Sequence, residues 1–375
     1  MEVKKSSEAD LEQKRTQGFL LGLIVVLATL FVLLEWNSGD SSWALFDDDD
    51  SLEAEVELSP LKRDKDEVPM MMPQEKKVEK QESETVYNFL RLPVSAHVAA
   101  LGGENITLTD DDATQLFHNP ALISGVSDKT LNLNYMTYME GAKNVSASFV
   151  RLAGERASWG VSAQLMDYGR IKQTTLTNED LGHFSARDIA IGGTFAYELT
   201  ERISGGITAK FITSTIAGYN SLGVGVDLGL NYLDVNRGWS LSTVARNLGG
   251  QIKAYDDEFE RIPFDLQVGA SKRLQNAPLR FHATMSRLTD WKEGIGHHLA
   301  IGADILLGDN IYLAAGYNFR KASQMEIDDT ETSSAHGAGL TLGAGLSLQR
   351  FKLQLGWGKY HVSTSSLLIN ISYVL

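Results

Sequence analysis

From Thr130 onward the chain alternates apolar with small or polar residues at a period of two. In SLGVGVDLGLNYL, Leu222, Val224, Val226, Leu228, Leu230 and Tyr232 share one face, and Gly223, Gly225, Asp227, Gly229 and Asn231 share the other. GLTLGAGLSLQ sets Leu340, Leu342, Ala344, Leu346 and Leu348 against Gly339, Thr341, Gly343, Gly345 and Ser347. The last segment sets Leu367, Ile369, Ile371, Tyr373 and Leu375 against Ser366, Asn370 and Ser372. Successive side chains of a strand point to opposite faces, so each segment has one greasy and one small or polar face. A wall with lipid outside and a crowded lumen inside needs this pattern.

Fourteen such segments are predicted, near residues 130–139, 144–152, 157–168, 186–199, 203–213, 220–233, 238–247, 264–274, 279–288, 297–307, 310–319, 336–349, 351–359 and 366–375. The connections alternate in length. Residues 169–185, 248–263, 289–296 and 320–335 are long, whereas 154–156, 200–202, 275–278, 308–309 and the link at Arg350 are tight. Long outer loops alternating with short periplasmic turns are the habit of outer-membrane barrels. The predicted fold is all-β: a 14-stranded antiparallel transmembrane barrel over residues 130–375, with both barrel ends in the periplasm. A soluble β-sandwich, whose apolar faces point inward, does not account for the rhythm of the connections.

Upstream the pattern changes three times. Residues 18–34, GFLLGLIVVLATLFVLL, are seventeen residues without a charge, enough to cover about 25 Å as a helix. Basic residues precede them, and Trp36 and the run Asp47 to Asp50 follow, so the N-terminus is expected in the cytoplasm. Residues 1–36 read as a tail and membrane anchor retained in the inner membrane, or as a signal sequence cut near Ser42-Trp43-Ala44. Residues 37–86 are a polar linker unable to bury enough surface to order itself. Extended, it reaches roughly 160 Å. Such a linker could run from the inner membrane to a barrel that starts in the periplasm.

Residues 87–129 are short, mixed and turn-rich, and are predicted to fold into the lumen as a plug. Gly102-Gly103 and Asn119-Pro120 are its breakers, and Thr109 or Asp110 is the expected cap of a helical turn reaching Phe117. Asp110, Asp111 and Asp112 read as charge complementing that helix N-terminus rather than as a metal site.

Net charge −14 argues against nucleic acid, which selects basic patches. Cysteine is absent, which removes disulfides and thiolate chemistry. Inward positions are predicted to carry Lys210, Asp227, Arg246, Asp265, Lys272, Arg280, Asp304 and Lys352. Both signs occur, so internal ion pairing is expected rather than an ion-selective conduit. His297 and His298 are adjacent on a predicted strand and cannot share one metal. No HExxH or GxSxG pattern is present. No enzyme, cofactor or metal is expected.

The stretch SAHVAALGGENITLTDDDATQLFHNPALI resembles the start of the FadL-like barrels of the Bacteroidota, in the segment from His97 to Gly102-Gly103, the acidic Asp110 to Asp112, and Asn119-Pro120-Ala121. DYGRIKQTT, VARNLGGQIKAYDDEFERIPFDLQVGASKRL and HHLAIGADILLGDNIYLAAGYNFR are similar to the PorV/PorQ branch. NFLRLP and the short closing KYHVSTSSLLINISYVL are closer to PorQ than to PorV. The resemblance implies an outer-membrane scaffold of the type IX secretion system. Such a scaffold anchors PorZ, and through it the sortase PorU, the shuttle PorV and anionic lipopolysaccharide. The alternative it implies is a FadL-like transporter of hydrophobic small molecules across the outer membrane. An occluded lumen without an apolar pocket is expected for the scaffold, and an apolar cavity or lateral gap for the transporter. On the scaffold reading the partner contacts Tyr255, Phe259 and Ile262, rimmed by Asp256, Asp257, Glu258 and Glu260. Residues 1–36 are similar to the tail and anchor of TonB energy transducers from the same bacteria, without their proline-rich spacer or periplasmic domain.

Overall fold

In the computed structural model the described residues are 85–375, apart from 175–179, 257, 291–293, 309, 326–337 and 361–363. The predicted anchor and nearly all of the linker lie outside them, as does Asp257.

The alternating segments fold as fourteen strands: β1 Thr130–Thr137, β2 Lys143–Leu152, β3 Ala157–Thr174, β4 Asp180–Glu198, β5 Ile203–Ile216, β6 Tyr219–Asp234, β7 Trp239–Lys253, β8 Asp265–Arg273, β9 Leu279–Met285, β10 Leu299–Leu307, β11 Ile311–Asn318, β12 Leu340–Ser347, β13 Phe351–Lys359 and β14 Ser365–Val374. Each pairs with its chain neighbours, and β1 closes on β14 antiparallel, Thr130 opposite Val374. The faces fall as the alternation requires. Val224, Leu228 and Leu230 of β6 are exposed on the outside, while Asp227 and Asn231 are buried inside.

Three boundaries differ from the sequence reading. The predicted loop 169–185 is largely a hairpin, because β3 runs to Thr174 and β4 starts at Asp180. The predicted loop at 248–263 gives up its first residues to β7, which runs to Lys253. Above the lipid both strand faces meet water, so the apolar alternation fades while the backbone ladder continues. His297 and His298 lie in a 3-10 turn, Ile295–His298, ahead of β10 rather than on it.

β7 also bends. Asn247 has a positive φ of 56°, and the β6–β7 register shifts between Val226 and Leu228. The Asn247 backbone N–H, displaced from the ladder, donates to the Asp227 carboxylate at 2.8 Å. The β7–β8 ladder ends at Arg246 opposite Asp265, so the outer part of β7 pairs with β6 alone.

The plug threads the lumen from one end to the other. At the long-loop end Thr85 bridges to Arg261, and the Val86 N–H donates to the Arg261 carbonyl at 2.9 Å. A 3-10 turn follows at Asn88–Arg91, then α1 at Ala96–Ala100, with the Ser95 side chain accepting from the Val98 N–H. Two further 3-10 turns, Ala113–Phe117 and Pro120–Gly125, lead to Lys129. There, at the tight-turn end, the Lys129 carbonyl accepts from the N–H of Leu375 at 3.1 Å.

Wall glycines make room for this chain. A Cβ at Gly316 would lie 2.5 Å from the Gly102 nitrogen, and one at Gly356 2.5 Å from the Ala96 carbonyl oxygen. On the other side of the lumen, a Cβ at Gly206 would lie 2.6 Å from the Ala121 nitrogen and one at Gly229 2.9 Å from Pro120 Cδ. Backbone meets wall directly, at the density of a protein interior.

Candidate functional site: the plugged lumen

Toward the tight-turn end, plug and wall are joined by charge. Asp304 of β10 is fully buried and accepts from Arg280 Nε of β9 at 2.8 Å. His97 Nε2 from the plug and His282 Nε2 from β9 each lie 3.0 Å from its carboxylate. Arg280 reaches the plug as well, donating twice to Asp110 at 2.7 Å each. The His97 ring stacks on Tyr312 of β11, centroids 3.7 Å apart. Burial alone would raise the Asp110 carboxyl, but the Arg280 charge and its hydrogen bonds outweigh that and hold it down at about 2.

The three successive aspartates take separate partners. Asp110 meets Arg280, whereas Asp111 meets Lys352 Nζ at 2.6 Å and the Ser127 N–H at 2.7 Å. Asp112 caps the 3-10 turn through the Thr114 N–H at 2.9 Å. This corrects the expectation of a shared helix-terminal role: only Asp112 caps, and neither Thr109 nor Asp110 does, because wall cations claim the other two carboxylates. Among the described residues no group of His, Asp and Glu is arranged to hold a metal ion.

Inward wall charges are met by neighbouring strands or by the plug. Lys210 Nζ is 2.5 Å from Asp227 and donates to Asn247 Oδ1 at 3.1 Å. Arg246 donates to the Leu90 carbonyl of the plug at 3.0 Å. Lys272 is the exception and a correction. Asp265, Gln267 and Ser271 of β8 are the buried, inward set, so Lys272 faces out, its Nζ 4.7 Å from the centre of the Trp239 ring. Burial, with the cations Arg246 and Lys210 nearby, holds the His118 imidazole well below its ordinary value. It stays neutral, and Nε2 accepts from the Ser95 N–H at 3.3 Å.

Toward the long-loop end the lumen is apolar. Met166, Ala190 and Ile212 of β3, β4 and β5 point inward and are buried against Val86, Tyr87, Phe89 and Leu90, with Tyr138, Tyr168 and Tyr255 packed beside them. Tyrosine hydroxyls finish the cluster. Tyr168 donates to Asp188 at 2.7 Å, Tyr255 donates to Ser214, and the Tyr87 hydroxyl lies 2.5 Å from Ser221 Oγ. Burial raises both Tyr87 and Tyr255, the latter to about 12.

A vestibule of about 740 Å³ opens at the tight-turn end, lined by Thr109, Asp110, Trp239, Arg273, Pro278 and Arg280 among others. The paired Asp110 and Arg280 stand in its lining. Farther in, beside Leu90, Phe117, Lys210 and Arg246, a second space measures only about 20 Å³.

The residues singled out by sequence fall as follows. Gly102 and Gly103 take positive φ, 90° and 83°, and the Gly102 N–H donates to Thr341 Oγ1 at 2.9 Å. Asn119 caps the Pro120–Gly125 turn by accepting from the Ala121 N–H at 3.0 Å, and donates to the Ile106 carbonyl at 3.0 Å. Pro120 and Ala121 sit against Gly206. Of the proposed partner contacts, Phe259 is exposed at 67%, while Ile262 is buried at 5% and Tyr255 is half-buried on Ser214. The sequence reading missed His97, His282 and Tyr312 around Asp304, and Met166 and Ile212 in the outer cluster. Inward-facing histidine at 282 and large apolar residues at 166 and 212 were visible in the alternation. Their meeting partners were not.

No family model matches the sequence, and no curated protein is detectably similar to it. Among solved structures, the toluene transporter TodX of P. putida superposes with a TM-score of 0.51 at 14% identity, covering 76% of this chain and 99% of TodX. The monoaromatic hydrocarbon channel CymD superposes with a TM-score of 0.50 at 16% identity, covering 76% and 97%. A Pseudomonas aeruginosa FadL homologue gives 0.48 at 10% identity, covering 75% and 98%. The likeness is one of fold: the chain is a closed fourteen-strand antiparallel barrel that shares its fold with TodX and CymD.

Proposed function

We propose that this protein is an outer-membrane barrel through which small hydrophobic molecules pass when the outer part of the plug yields. The observation that carries this reading is the apolar cluster at the long-loop end, which the plug fills in this state, so that the open cavity expected of a transporter would form only when the plug moves. Inward Met166, Ala190 and Ile212 give this end an apolar lining that packs on Val86, Tyr87, Phe89 and Leu90 of the plug. That compartment is occupied by the chain's own Phe89 and Leu90. Burying each is worth about 1.5–3 kcal/mol, and because the effect is non-directional an apolar guest of similar size can take their place. TodX and CymD, described as a transporter and a channel for such molecules, share the fold and so support this reading over an anchoring role.

The test is toluene flux into proteoliposomes carrying the wild-type barrel or a Phe89→Ala/Leu90→Ala variant. The double variant opens the compartment and is expected to raise the flux. Equal flux for both proteins and for protein-free vesicles would sink the proposal.

A second reading is favoured by the Asp304, Arg280 and Asp110 cluster, which bolts the plug across the lumen. On that reading the barrel is a non-conducting scaffold of the type IX secretion system, holding PorZ, and with it PorU, PorV and anionic lipopolysaccharide. The contact would be made through Phe259 and its rim of Asp256, Glu258 and Glu260. Shortening residues 254–261 to a tight turn should then release PorZ from the cell surface while the barrel stays inserted. PorZ retained by that variant argues against the scaffold.

A further inference from the structure

Two tight turns lie side by side at one end of the wall, residues 235–238 between β6 and β7 and residues 274–278 between β8 and β9. Hydrogen bonds tie them together. The Arg273 N–H donates to the Gly238 carbonyl at 2.8 Å, Lys272 Nζ to the Arg237 carbonyl at 2.5 Å, and Gln275 Nε2 to the Asn236 carbonyl at 2.5 Å. Gly238 has a φ of 67°, and a Cβ there would collide with the Arg273 carbonyl oxygen. The turns are therefore held in one relative position.

Between them is a notch of about 440 Å³, which includes Arg237, Trp239, Lys272 and Gln275 in its lining. Trp239 stands opposite Lys272 in the β7–β8 ladder and Lys272 opposite Phe281 in the β8–β9 ladder, so all three share the outer face. Lys272 spends one of its three N–H donors on the Arg237 carbonyl. The Arg237 side chain is exposed and has no ion pair among the described residues. No carboxylate stands among the described residues that line the notch. The nearest acid in sequence, Asp234, is buried and turned to Arg202 at 3.4 Å and to the Arg237 N–H at 3.1 Å. Other tight turns set an acid beside their base, Glu155 beside Arg156 and Glu201 beside Arg202. In a chain of net charge −14 this notch is a local excess of positive charge.

Its place on the wall says what meets that charge. The tight-turn end faces the periplasm in barrels of this kind. On one side of the notch the outer face continues as Leu241, Val268 and Phe281, all exposed and suited to hydrocarbon. On the other side Asn236, Arg237 and Gln275 are polar and exposed, suited to water. The notch sits at the boundary, where the phosphates of lipid headgroups lie.

We propose that the notch binds the headgroup phosphate of one anionic phospholipid of the periplasmic leaflet. Arg237 offers a planar fork that matches two phosphate oxygens, and Lys272 a compact charge beside it. The acyl chains lie along Leu241, Val268 and Phe281. Trp239 and Gln275 also line the vestibule, so the bound headgroup stands at the vestibule's rim.

Native mass spectrometry of the full-length protein, titrated with phosphatidylglycerol, phosphatidylethanolamine or inorganic phosphate, tests this. One phosphatidylglycerol should bind, in preference to the zwitterionic lipid. Arg237→Gln/Lys272→Gln should weaken it roughly thirtyfold, and Arg237→Gln alone about fivefold. The single variant changes only an exposed side chain, so it decides the matter if the double variant misfolds. Arg156→Gln, which removes a cation 5.9 Å from the Tyr197 ring on another turn, should leave binding unchanged. Unaltered affinity in the Arg237 variants overturns the proposal, and so does equal binding of phosphatidylethanolamine. A matching loss from Arg156→Gln means diffuse attraction to the whole rim and overturns the single site. Inorganic phosphate bound as tightly as phosphatidylglycerol makes it a free-anion site and overturns the lipid.

Discussion

At the tight-turn end the plug is held by Arg280, Asp110, His97 and Asp304, and at the long-loop end by Phe89, Leu90 and a ring of tyrosines. The two ends differ in what they tolerate. Ion pairs are directional, and a buried charge that loses its partner has nowhere to go. Apolar contacts are non-directional, and one greasy group can stand in for another. On the proposed reading the tight-turn end, where these ion pairs add to an apolar cluster of Leu116, Phe117, Ile123, Val126 and Val150, is the fixed one, and the long-loop end is the one that exchanges its contents.

The largest effect belongs to Arg280→Met. It leaves Asp304 buried without its cation and frees Asp110 from the wall. Breaking a buried pair in this way costs about 3–5 kcal/mol. The denaturant midpoint of the barrel in detergent should fall sharply, and the plug should become open to protease from the vestibule. An unchanged midpoint would mean that charge does not hold this end.

Gly229→Ala comes next. Its Cβ would lie 2.9 Å from Pro120 Cδ, and the proline ring cannot rotate away. Overpacking of this kind costs about 1–3 kcal/mol. Gly193→Ala, on a strand face with nothing near its added Cβ, serves as control. Equal midpoints for the two variants would show that the plug shifts to accommodate the methyl.

Phe89→Leu at the outer end leaves only a small void and should cost less than the about 3–5 kcal/mol of a full Phe→Ala truncation. It removes no hydrogen bond, because the Phe89 carbonyl still accepts from Gln164. A loss as large as that from Arg280→Met would erase the contrast between the ends.

The wall was legible because one physical demand repeats along it. Lipid on one side and a crowded lumen on the other impose period two, and β6 carries the pattern almost without exception. Lys272 shows that charge alone does not mark an inward position: Asp265, Gln267 and Ser271 alternate with Leu266, Val268 and Ala270, and Lys272, seven residues from Asp265, falls on the outer face. The plug carries no repeating demand. Its turns were visible in Gly102-Gly103 and Asn119-Pro120, but its contacts were not. His97 meets Asp304 across 207 residues of sequence, and nothing local marks that pairing. Tyr255 and Ile262 looked like docking anchors because the loop around them is acidic. Their place beside the outer cluster follows from where the plug begins, which alternation does not encode.

The smallest effect is that of pH on the fixed end. The Asp110 carboxyl is held at about 2 by Arg280, against about 3.9 in an unfolded chain. A depressed carboxylate favours the folded state above its unfolded value, and that contribution is lost as pH falls toward the folded one. The contribution should be complete above roughly pH 4 and fade on the way down to about 2. The Asp110 side chain is 41% exposed to the vestibule, so water screens the pair and the effect is modest. Other carboxylates titrate in the same range, so the comparison must be with Asp110→Asn. Wild-type midpoints should exceed those of the variant by a constant margin from pH 8 to 5, and the margin should shrink below pH 4. If it is the same at pH 3 as at pH 7, Asp110 is not held by charge. The fixed end would then rest on Asp304 and its partners alone.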